Sequence, residues 1–239
     1  MSSKKLWFRF IYLVNSLLFF LIAFSCARIG SPTGGPKDVD PPRILMSEPE
    51  NYSTGFKGKE LEITFDEYIQ IKGIDKELFI SPPLSEKPVT KIRNKTLVVD
   101  LNNELIENTT YTLNFGKAIA DNNEGNALTN YEFVFSTGDY LDSLSITGKV
   151  MNAFNLTPPK EGTFVMLYEN LNDTAPLTQI PLYISKTDKS GNFRMNNIKT
   201  GNYKIYSLTD ENSNMFFDQQ KETFAFIDSV IVLDPEKQH

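Results

Sequence analysis

Four oxygen-bearing side chains in one polar stretch of the sequence have the spacing of a calcium-binding loop. Counted from the first of them, they occupy positions 1, 3, 5 and 9: Asp210, Asn212, Asn214 and Asp218. Calcium prefers carboxylate and amide oxygens, and calcium loops place them at these intervals. Met215 and Lys221 depart from the pattern, because a glycine and a bidentate glutamate are usual at their positions. Two interpretations follow: a calcium site, with no other cofactor implied, or a solvated loop held by Asx turns.

Two other groups of carboxylates carry weaker signals for chemistry. Asp121, Asn123 and Glu124 lie in the stretch DNNEGN, which can gather a cation but is also an ordinary way to reverse a strand. Asp66 and Glu67 are adjacent in the chain. On a strand their side chains would point to opposite faces, so they could not flank one glycosidic bond. We therefore expect no catalytic residue here and no enzymatic activity.

Met215, Phe216 and Phe217 place three large apolar side chains inside the first of these polar loops. Such a group either folds back over the end of a β-sandwich or forms a platform for a sugar or a protein, since aromatic side chains are common interface anchors. Folding back is the commoner arrangement and is our expectation.

The single cysteine, Cys26, follows an N-terminal segment with the layout of an export signal. Three basic residues open the chain: Lys4, Lys5 and Arg9. They precede 16 uncharged, mostly apolar residues, 10–25, fewer than the about 20 that span a bilayer comfortably as a helix. Residues 1–26 resemble a bacterial lipoprotein signal, although Phe24 is bulkier than the small residue usual at its position. The resemblance implies cleavage of residues 1–25 and lipidation of Cys26.

Two alternatives to lipidation stay open: an uncleaved membrane anchor, and an ordinary cleaved signal that leaves Cys26 unmodified. All three interpretations export the chain, and the lipoprotein interpretation anchors it by lipid to the outer membrane. No acidic cluster follows Cys26, which favours the periplasmic face over the cell surface. Catalysis by Cys26 is not expected, because the only available base of the usual type, His239, is the last residue.

The charge balance narrows the range of partners. Removal of the proposed signal leaves 21 of the 24 Lys and Arg residues against 30 Asp and Glu, a net charge of −9. An acidic protein repels phosphate backbones, so nucleic acid is excluded as the expected partner, whereas an envelope protein or a polysaccharide is not. With a single cysteine, the chain must fold without an internal disulfide.

The remainder of the chain has the pattern of short β-strands. Residues 26–40 are rich in Gly, Pro and Ser and predict a flexible tether. Beyond them, alternate residues are apolar in four segments: Leu61, Ile63 and Phe65; Leu97, Val99 and Leu101; Tyr111, Leu113 and Phe115; Tyr131, Phe133 and Phe135. Turn residues separate these segments, and no helical repeat appears after the signal. The pattern predicts an all-β fold of tandem sandwiches.

The first of these modules, residues 41–138, resembles a bacterial Ig-like domain of the kind found in surface-layer proteins. The shared marks are the Pro41-Pro42 pair, the segments ITFDE and ENTTYTLNF, the turn DNNEGN and the closing FSTG. The resemblance implies a spacer or adhesive module with no attached chemistry.

The second module, residues 142–234, resembles a carboxypeptidase regulatory-like, or prealbumin-like, β-sandwich. Its mark is the spacing G-x-F-x(4)-I-x(2)-G-x-Y-x-I, formed by Gly191, Phe193, Ile198, Gly201, Tyr203 and Ile205. Each glycine permits a turn with positive φ, and the apolar residues can face one core. One closing strand is predicted from Phe224 to Leu233. The short link 137–143 predicts two modules placed end to end with limited freedom.

Together with the lipoprotein signal, both resemblances imply a lipid-anchored envelope protein with a non-catalytic structural, adhesive or binding role. The alternative is a carbohydrate-binding accessory lipoprotein. Three tripeptides beginning at Asp142, Asp173 and Asp228 also resemble an O-glycosylation signal reported for exported bacterial proteins.

Overall fold

The computed structural model describes residue 7 and residues 9–16, 35–102, 104–218 and 220–237. It divides into two compact units, Met1–Asp38 and Val39–His239. Residues 7 and 9–16 of the first unit are helical. Within the described part of the chain, no helix is both long and apolar enough to cross a bilayer. Cys26 and His239 lie outside the described residues, so lipidation of Cys26 remains a prediction.

The second unit is built mainly from antiparallel strands, which confirms the predicted all-β sandwich fold. The first module contains β1 (Ile44–Glu48), β2 (Glu60–Phe65), β3 (Ile69–Ile71), β4 (Phe79–Ser81), β5 (Val89–Arg93), β6 (Thr96–Asp100), β7 (Thr110–Asn114), β8 (Ile119–Asp121) and β9 (Glu132–Ser136). The second contains β10 (Leu144–Lys149), β11 (Phe164–Tyr168), β12 (Tyr183–Lys186), β13 (Asn192–Ile198), β14 (Gly201–Leu208), β15 (Phe224–Phe226) and β16 (Ile231–Leu233). Three short helical turns lie between or after the strands: Ile74–Glu77, Ala175–Thr178 and Pro235–Lys237.

The first module packs a four-stranded sheet, in the order β1-β2-β6-β5, around a core shared with the three-stranded sheet β4-β7-β9 and the pair β3-β8. Alternation decides which side chains enter this core: Leu61, Ile63 and Phe65 of β2 are fully buried. On the other face of β2, Glu62 lies 3.5 Å from Arg93 of β5 at the surface. The apolar faces predicted from the sequence are therefore the buried ones.

The second module packs the pair β10-β13 against the sheet β12-β11-β14-β15, with β16 also paired to β14. The core between these sheets contains Ile198, Tyr203 and Ile205, with Phe193 packed against it, as the glycine-spaced pattern predicted. A second cluster covers the opposite face of the larger sheet and includes Met166, Tyr168 and Tyr206. Both faces of β11 and β14 are therefore buried.

Two details of the second module differ from the sequence prediction. The closing segment forms two strands instead of one. Phe226 pairs with Tyr206 and Ile231 pairs with Tyr203, so the four residues 227–230 lie opposite only two residues of β14, 204 and 205. The surplus residues leave the sheet as an outward bulge. Gly191 has the expected positive φ of 81°, whereas Gly201 is not among the residues with positive φ. A Cβ atom on Gly201 would lie 3.0 Å from the Tyr203 hydroxyl, so this glycine is explained by close packing.

Candidate functional site

The two modules meet along a contact that we call the joint, formed by β4 and β7 of the first module with β12 and β13 of the second. Phe79 of β4 reaches across it and packs against the second module's outer cluster, next to Phe164. The modules are therefore connected by side-chain packing and not only by the link 137–143. The end-to-end arrangement expected from the length of that link omitted this contact.

Polar groups in the joint are paired across the two modules. The Ile184 N–H donates to the Ser81 Oγ at 3.1 Å, and both residues are buried, with exposures of 2% and 5%. Asn197 donates through Nδ2 to the Thr112 Oγ1 at 2.8 Å. Because buried polar groups must be hydrogen-bonded, these pairs fix one relative placement of β4 against β12 and of β7 against β13.

Lys186 adds a cation to the same contact. Its Nζ lies 5.4 Å from the centre of the Phe79 ring and 5.2 Å from that of Phe164, one ring from each module. The same Nζ donates to the Lys76 carbonyl oxygen at 2.5 Å. Burial lowers the pKa of Lys186, although the Glu77 carboxylate partly opposes the shift. The cation thus bridges an aromatic ring and a carbonyl of the first module to the second module.

A polar cleft of about 870 Å³ opens beside the joint and is lined by both modules. Its charged lining contains four basic and four acidic side chains: Lys76, Lys117, Lys186, Arg194, Glu77, Glu132, Glu161 and Asp188. Uncharged polar side chains add to this lining, four of them asparagines: Asn114, Asn130, Asn192 and Asn196, with Ser185 and Thr187. The formal charges cancel, so the cleft suits a neutral, hydrogen-bonding ligand better than a polyanion.

The predicted calcium loop has a defined hydrogen-bond pattern. Asp210 accepts the N–H of Ser213 at 2.6 Å and that of Met215 at 2.9 Å. Asn212 donates through Nδ2 to the Asp218 Oδ1 at 3.2 Å, and Asn214 donates through Nδ2 to the Asp218 Oδ2 at 2.8 Å. The structure therefore gathers Asn212, Asn214 and Asp218 and turns Asp210 toward the backbone.

This hydrogen-bond pattern is that of an Asx-turn loop. To bind a cation, the side-chain amides of Asn212 and Asn214 would both have to rotate so that their oxygen atoms replace the nitrogen atoms beside Asp218. Met215 already takes a φ of 64°, the left-handed value that glycine usually provides at this position. Among the described residues no group of three or more Asp, Glu, His or Cys side chains could hold a metal. The calcium site stays a prediction.

The apolar residues of this loop fold back onto the sandwich. Met215 and Phe217 pack against the outer cluster of the second module. The Phe217 ring stacks on Phe224 with ring centres 4.6 Å apart and an angle of 17° between the rings. The Phe217 N–H also donates to the Pro176 carbonyl at 2.9 Å. These contacts account for Met215 and Phe217 as part of the fold.

The DNNEGN turn is organised by one carboxylate. Asp121 is 1% exposed, and its two oxygens accept the N–H groups of four residues: Asn123, Glu124, Gly125 and Asn126. Desolvation of this carboxyl raises its pKa, but the four N–H donors outweigh that effect and hold the pKa of Asp121 below its usual value. Asp121 therefore acts as the centre of a strand reversal.

Asp66 serves a similar structural role at the end of β2. Its Oδ1 accepts the Arg43 N–H at 2.9 Å, and its own N–H donates to the Arg43 carbonyl at 3.0 Å. Lys95 donates through Nζ to the Asp66 carbonyl oxygen at 2.5 Å. These bonds tie the chain after β2 to the start of the module.

An apolar groove of about 450 Å³ lies between β10 and β15. Its rim includes Leu156, Phe226 and Ile227, which are 69%, 66% and 50% exposed. In the described sheets β10 pairs only with β13, and β15 only with β14. The groove is thus bordered by two edge strands, the part of a sheet most open to further pairing.

No sequence motif predicts the joint. Phe79 and Ser81 lie in a short segment that carries no motif, and Thr112 lies in ENTTYTLNF, where nothing marks it as a contact between modules. The polar face of this segment carries Thr110 and Thr112, but threonine is common in strands of any kind and does not indicate a contact between modules.

Comparisons with known proteins agree with this architecture. The family model of the bacterial Ig-like domain matches residues 38–137. The matched residues span the first module, so this module is similar to the bacterial Ig-like domain. No curated protein matches the chain.

Solved structures with similarity include two chains of the S-layer protein SbsC and a pilin. The SbsC(31–844) crystal structure is 16% identical, with 73% of this chain and 21% of that chain covered and a TM-score of 0.29. The N-terminal part of SbsC is 14% identical, with 77% and 43% covered and a TM-score of 0.29. BcpA, the major pilin subunit of Bacillus cereus, is 12% identical, with 82% and 67% covered and a TM-score of 0.26. The chain spans less than half of the S-layer chains that it matches.

Proposed function

We propose that this protein is a non-catalytic envelope protein, anchored in the outer membrane through lipid on Cys26, and that its two modules act as one rigid structural or adhesive body. The observation that carries the proposal is the joint. Buried hydrogen bonds such as Ile184 to Ser81, together with the Phe79 contact, give the modules one relative placement. A body of this kind transmits position and force from an anchor to a partner, as a spacer or an adhesive module must.

Rigidity can be tested by attaching spin labels to one exposed position in each module, for example Lys91 and Lys149. We expect a single narrow distance distribution that broadens when Phe79→Ala and Ser81→Ala are combined. A broad distribution in the unaltered protein would contradict the proposal. A label pair within the first module, at Lys91 and Lys57, is the control, and its distribution should stay narrow in both proteins.

The anchor is tested separately by the mass of the mature N-terminus. Chain isolated from envelopes should begin at Cys26 and carry a diacyl or triacyl increment, and Cys26→Ser should release the protein from membranes. A retained Met1 with an unmodified thiol in a soluble fraction would reject the anchor.

We also propose that the second module is a prealbumin-like domain. The positive φ of Gly191 and the shared core of Ile198, Tyr203 and Ile205 support this assignment. Its role would again be structural or binding.

The second candidate function is carbohydrate binding, and the polar cleft beside the joint favours it. Balanced charges and four amide side chains provide donors and acceptors for a neutral polyhydroxyl ligand. A glycan array should then give a saturable signal that weakens at least several-fold in Asn130→Ala. Pull-down of envelope proteins without any glycan signal would favour the structural and adhesive role.

A further inference from the structure

Three hydroxyl-bearing residues share a local sequence that the proposed function does not use. Each Asp of the chain that directly precedes Ser or Thr is followed next by an apolar residue, and the three tripeptides are Asp142-Ser143-Leu144, Asp173-Thr174-Ala175 and Asp228-Ser229-Val230. All three hydroxyl residues lie outside strands and helices. Ser143 directly precedes β10, Thr174 precedes a helical turn, and Ser229 lies in the bulge between β15 and β16.

The structure exposes all three hydroxyl residues to solvent. This exposure is not general for the chain, because eight other Ser and Thr residues are buried: Ser81, Thr110, Thr112, Ser136, Thr163, Ser185, Thr187 and Ser207. In two tripeptides the apolar neighbour is buried, with Leu144 7% and Ala175 0% exposed. The neighbour therefore holds the backbone against the module while the hydroxyl residue faces outward.

Exposure on an irregular segment is what a modifying enzyme requires of an acceptor. The enzyme must enclose the hydroxyl together with a second substrate, and a residue within a paired strand cannot enter such a pocket. Ser229 is the clearest case, because the bulge lifts residues 227–230 away from β14.

The adjacent carboxylate distinguishes between the groups that could be transferred. Asp173 is an exposed anion, 80% accessible, that pairs with Lys204 at 2.5 Å, and Asp228 is exposed as well. A phosphoryl group attached to the hydroxyl would be repelled by the adjacent carboxylate, whereas an attached neutral sugar would carry no such cost. The same carboxylate offers a fixed charge that a transferase can recognise.

We propose that Ser143, Thr174 and Ser229 are acceptors for O-linked sugars. In the transfer, the hydroxyl oxygen forms a bond to the anomeric carbon of a sugar activated as a phosphate ester of a nucleotide or lipid carrier. The bond between that carbon and the phosphate oxygen breaks, the phosphate leaves with the electron pair, and the hydroxyl proton passes to a base of the transferase. The inference rests on the proposed export of the chain, since the transfer takes place where the folded surface meets an envelope transferase.

Mass spectrometry of the full chain, isolated from the envelope of the organism that encodes it, tests the inference. We expect sugar-sized increments on the peptides that contain residues 143, 174 and 229, all of them absent when the chain is made in a host without the transferase. Thr223 is the internal control, because it is exposed and lies between an acidic and an apolar residue but follows Glu222 instead of Asp. It should be unmodified.

Two variants separate recognition of the carboxylate from loss of the acceptor. Thr174→Ala should lower the intact mass by one glycan, and Asp173→Asn should do the same although the hydroxyl is retained. A melting temperature within about 2 °C of the unaltered protein would show that neither variant acts through unfolding, as expected for exposed positions.

Unmodified peptides at all three positions, a phosphate-sized increment, or glycans that persist in Asp173→Asn would each overturn the inference. The N-terminal peptide of the same sample reports on the anchor. Lipid on Cys26 without sugar at the three positions would reject this inference alone, and a soluble chain with neither modification would reject both proposals.

Discussion

Replacement of Ser81 in the first module by Ala should destabilise the protein, because it leaves the N–H of Ile184 in the second module without its acceptor. The substitution removes only the Oγ atom, which accepts the Ile184 N–H at 3.1 Å across the joint. Ser81 and Ile184 are 5% and 2% exposed, so water does not readily replace the lost acceptor. An unsatisfied buried donor costs about 1 to 3 kcal/mol. For a protein of this size, that corresponds to a fall in melting temperature of about 2 to 12 °C.

Urea unfolding followed by tyrosine fluorescence provides the measurement, with the midpoint and slope fitted together. Ser190→Ala is the matched control, because Ser190 is exposed in the same module as Ile184 and its backbone N–H, which the substitution keeps, donates to Asp188. We expect the control to change stability by no more than about 0.5 kcal/mol.

The result that would refute this reasoning is a midpoint for Ser81→Ala equal to that of the control. The Ile184 N–H would then be satisfied without Ser81, and the joint would not be a dry contact. A loss of stability confined to a separate first transition would also oppose the rigid-body proposal, since it would show the modules unfolding independently.

Three further changes have defined outcomes. The fold lowers the pKa of Asp121, so this carboxylate stabilises the folded protein fully above its unfolded pKa of about 4, and the stabilisation is lost as the pH falls through the lower native pKa. The Asp121→Asn variant should therefore unfold at lower urea concentration at pH 7 and should lack this dependence on acid. If the Asp210 loop binds calcium, millimolar Ca²⁺ should raise the melting temperature and Asp218→Asn should abolish the rise, whereas no shift in the unaltered protein would reject the site. Gly201→Ala should cost about 1 to 3 kcal/mol in thermal unfolding, because its Cβ would lie 3.0 Å from the Tyr203 hydroxyl. Gly35→Ala, with nothing within 4 Å, is its control and should be neutral.

The alternation of apolar and polar residues predicted the core between the sheets of each module, because the apolar face of such a strand packs against the facing sheet. Leu113 and Phe115 of the first module and Tyr203 and Ile205 of the second were all assigned correctly to the core. The closing strand was predicted less well. The sequence from Phe224 to Leu233 is continuously strand-like, and the bulge that divides it depends on how many residues β14 offers opposite it.

The joint could not be predicted by the same reasoning. Thr110 and Thr112 alternate with Tyr111 and Leu113 in β7, so the sequence places the threonines on an outer face. The structure buries them to 1% and 7% exposure. Their hydroxyls accept the Asp142 N–H at 2.8 Å and the Asn197 amide at 2.8 Å. A threonine hydroxyl bonds equally well to water, so its type alone does not distinguish a solvated face from a hydrogen-bonded contact between modules.

Hydrogen bonds between buried polar groups explain how the joint can hold the two modules in one relative placement without a large apolar interface. A mainly apolar contact tolerates sliding, because dispersion and burial vary little with small displacements, whereas buried donors and acceptors permit only the arrangement that pairs them. Ser81, Thr112 and Lys186 supply that constraint at three separate points of the contact. The contact also places the edge strand β4 beside the edge strand β12, so each shields the other from pairing with a foreign chain. The residues that the proposal makes responsible for rigid coupling therefore lie in the same contact that covers two sheet edges.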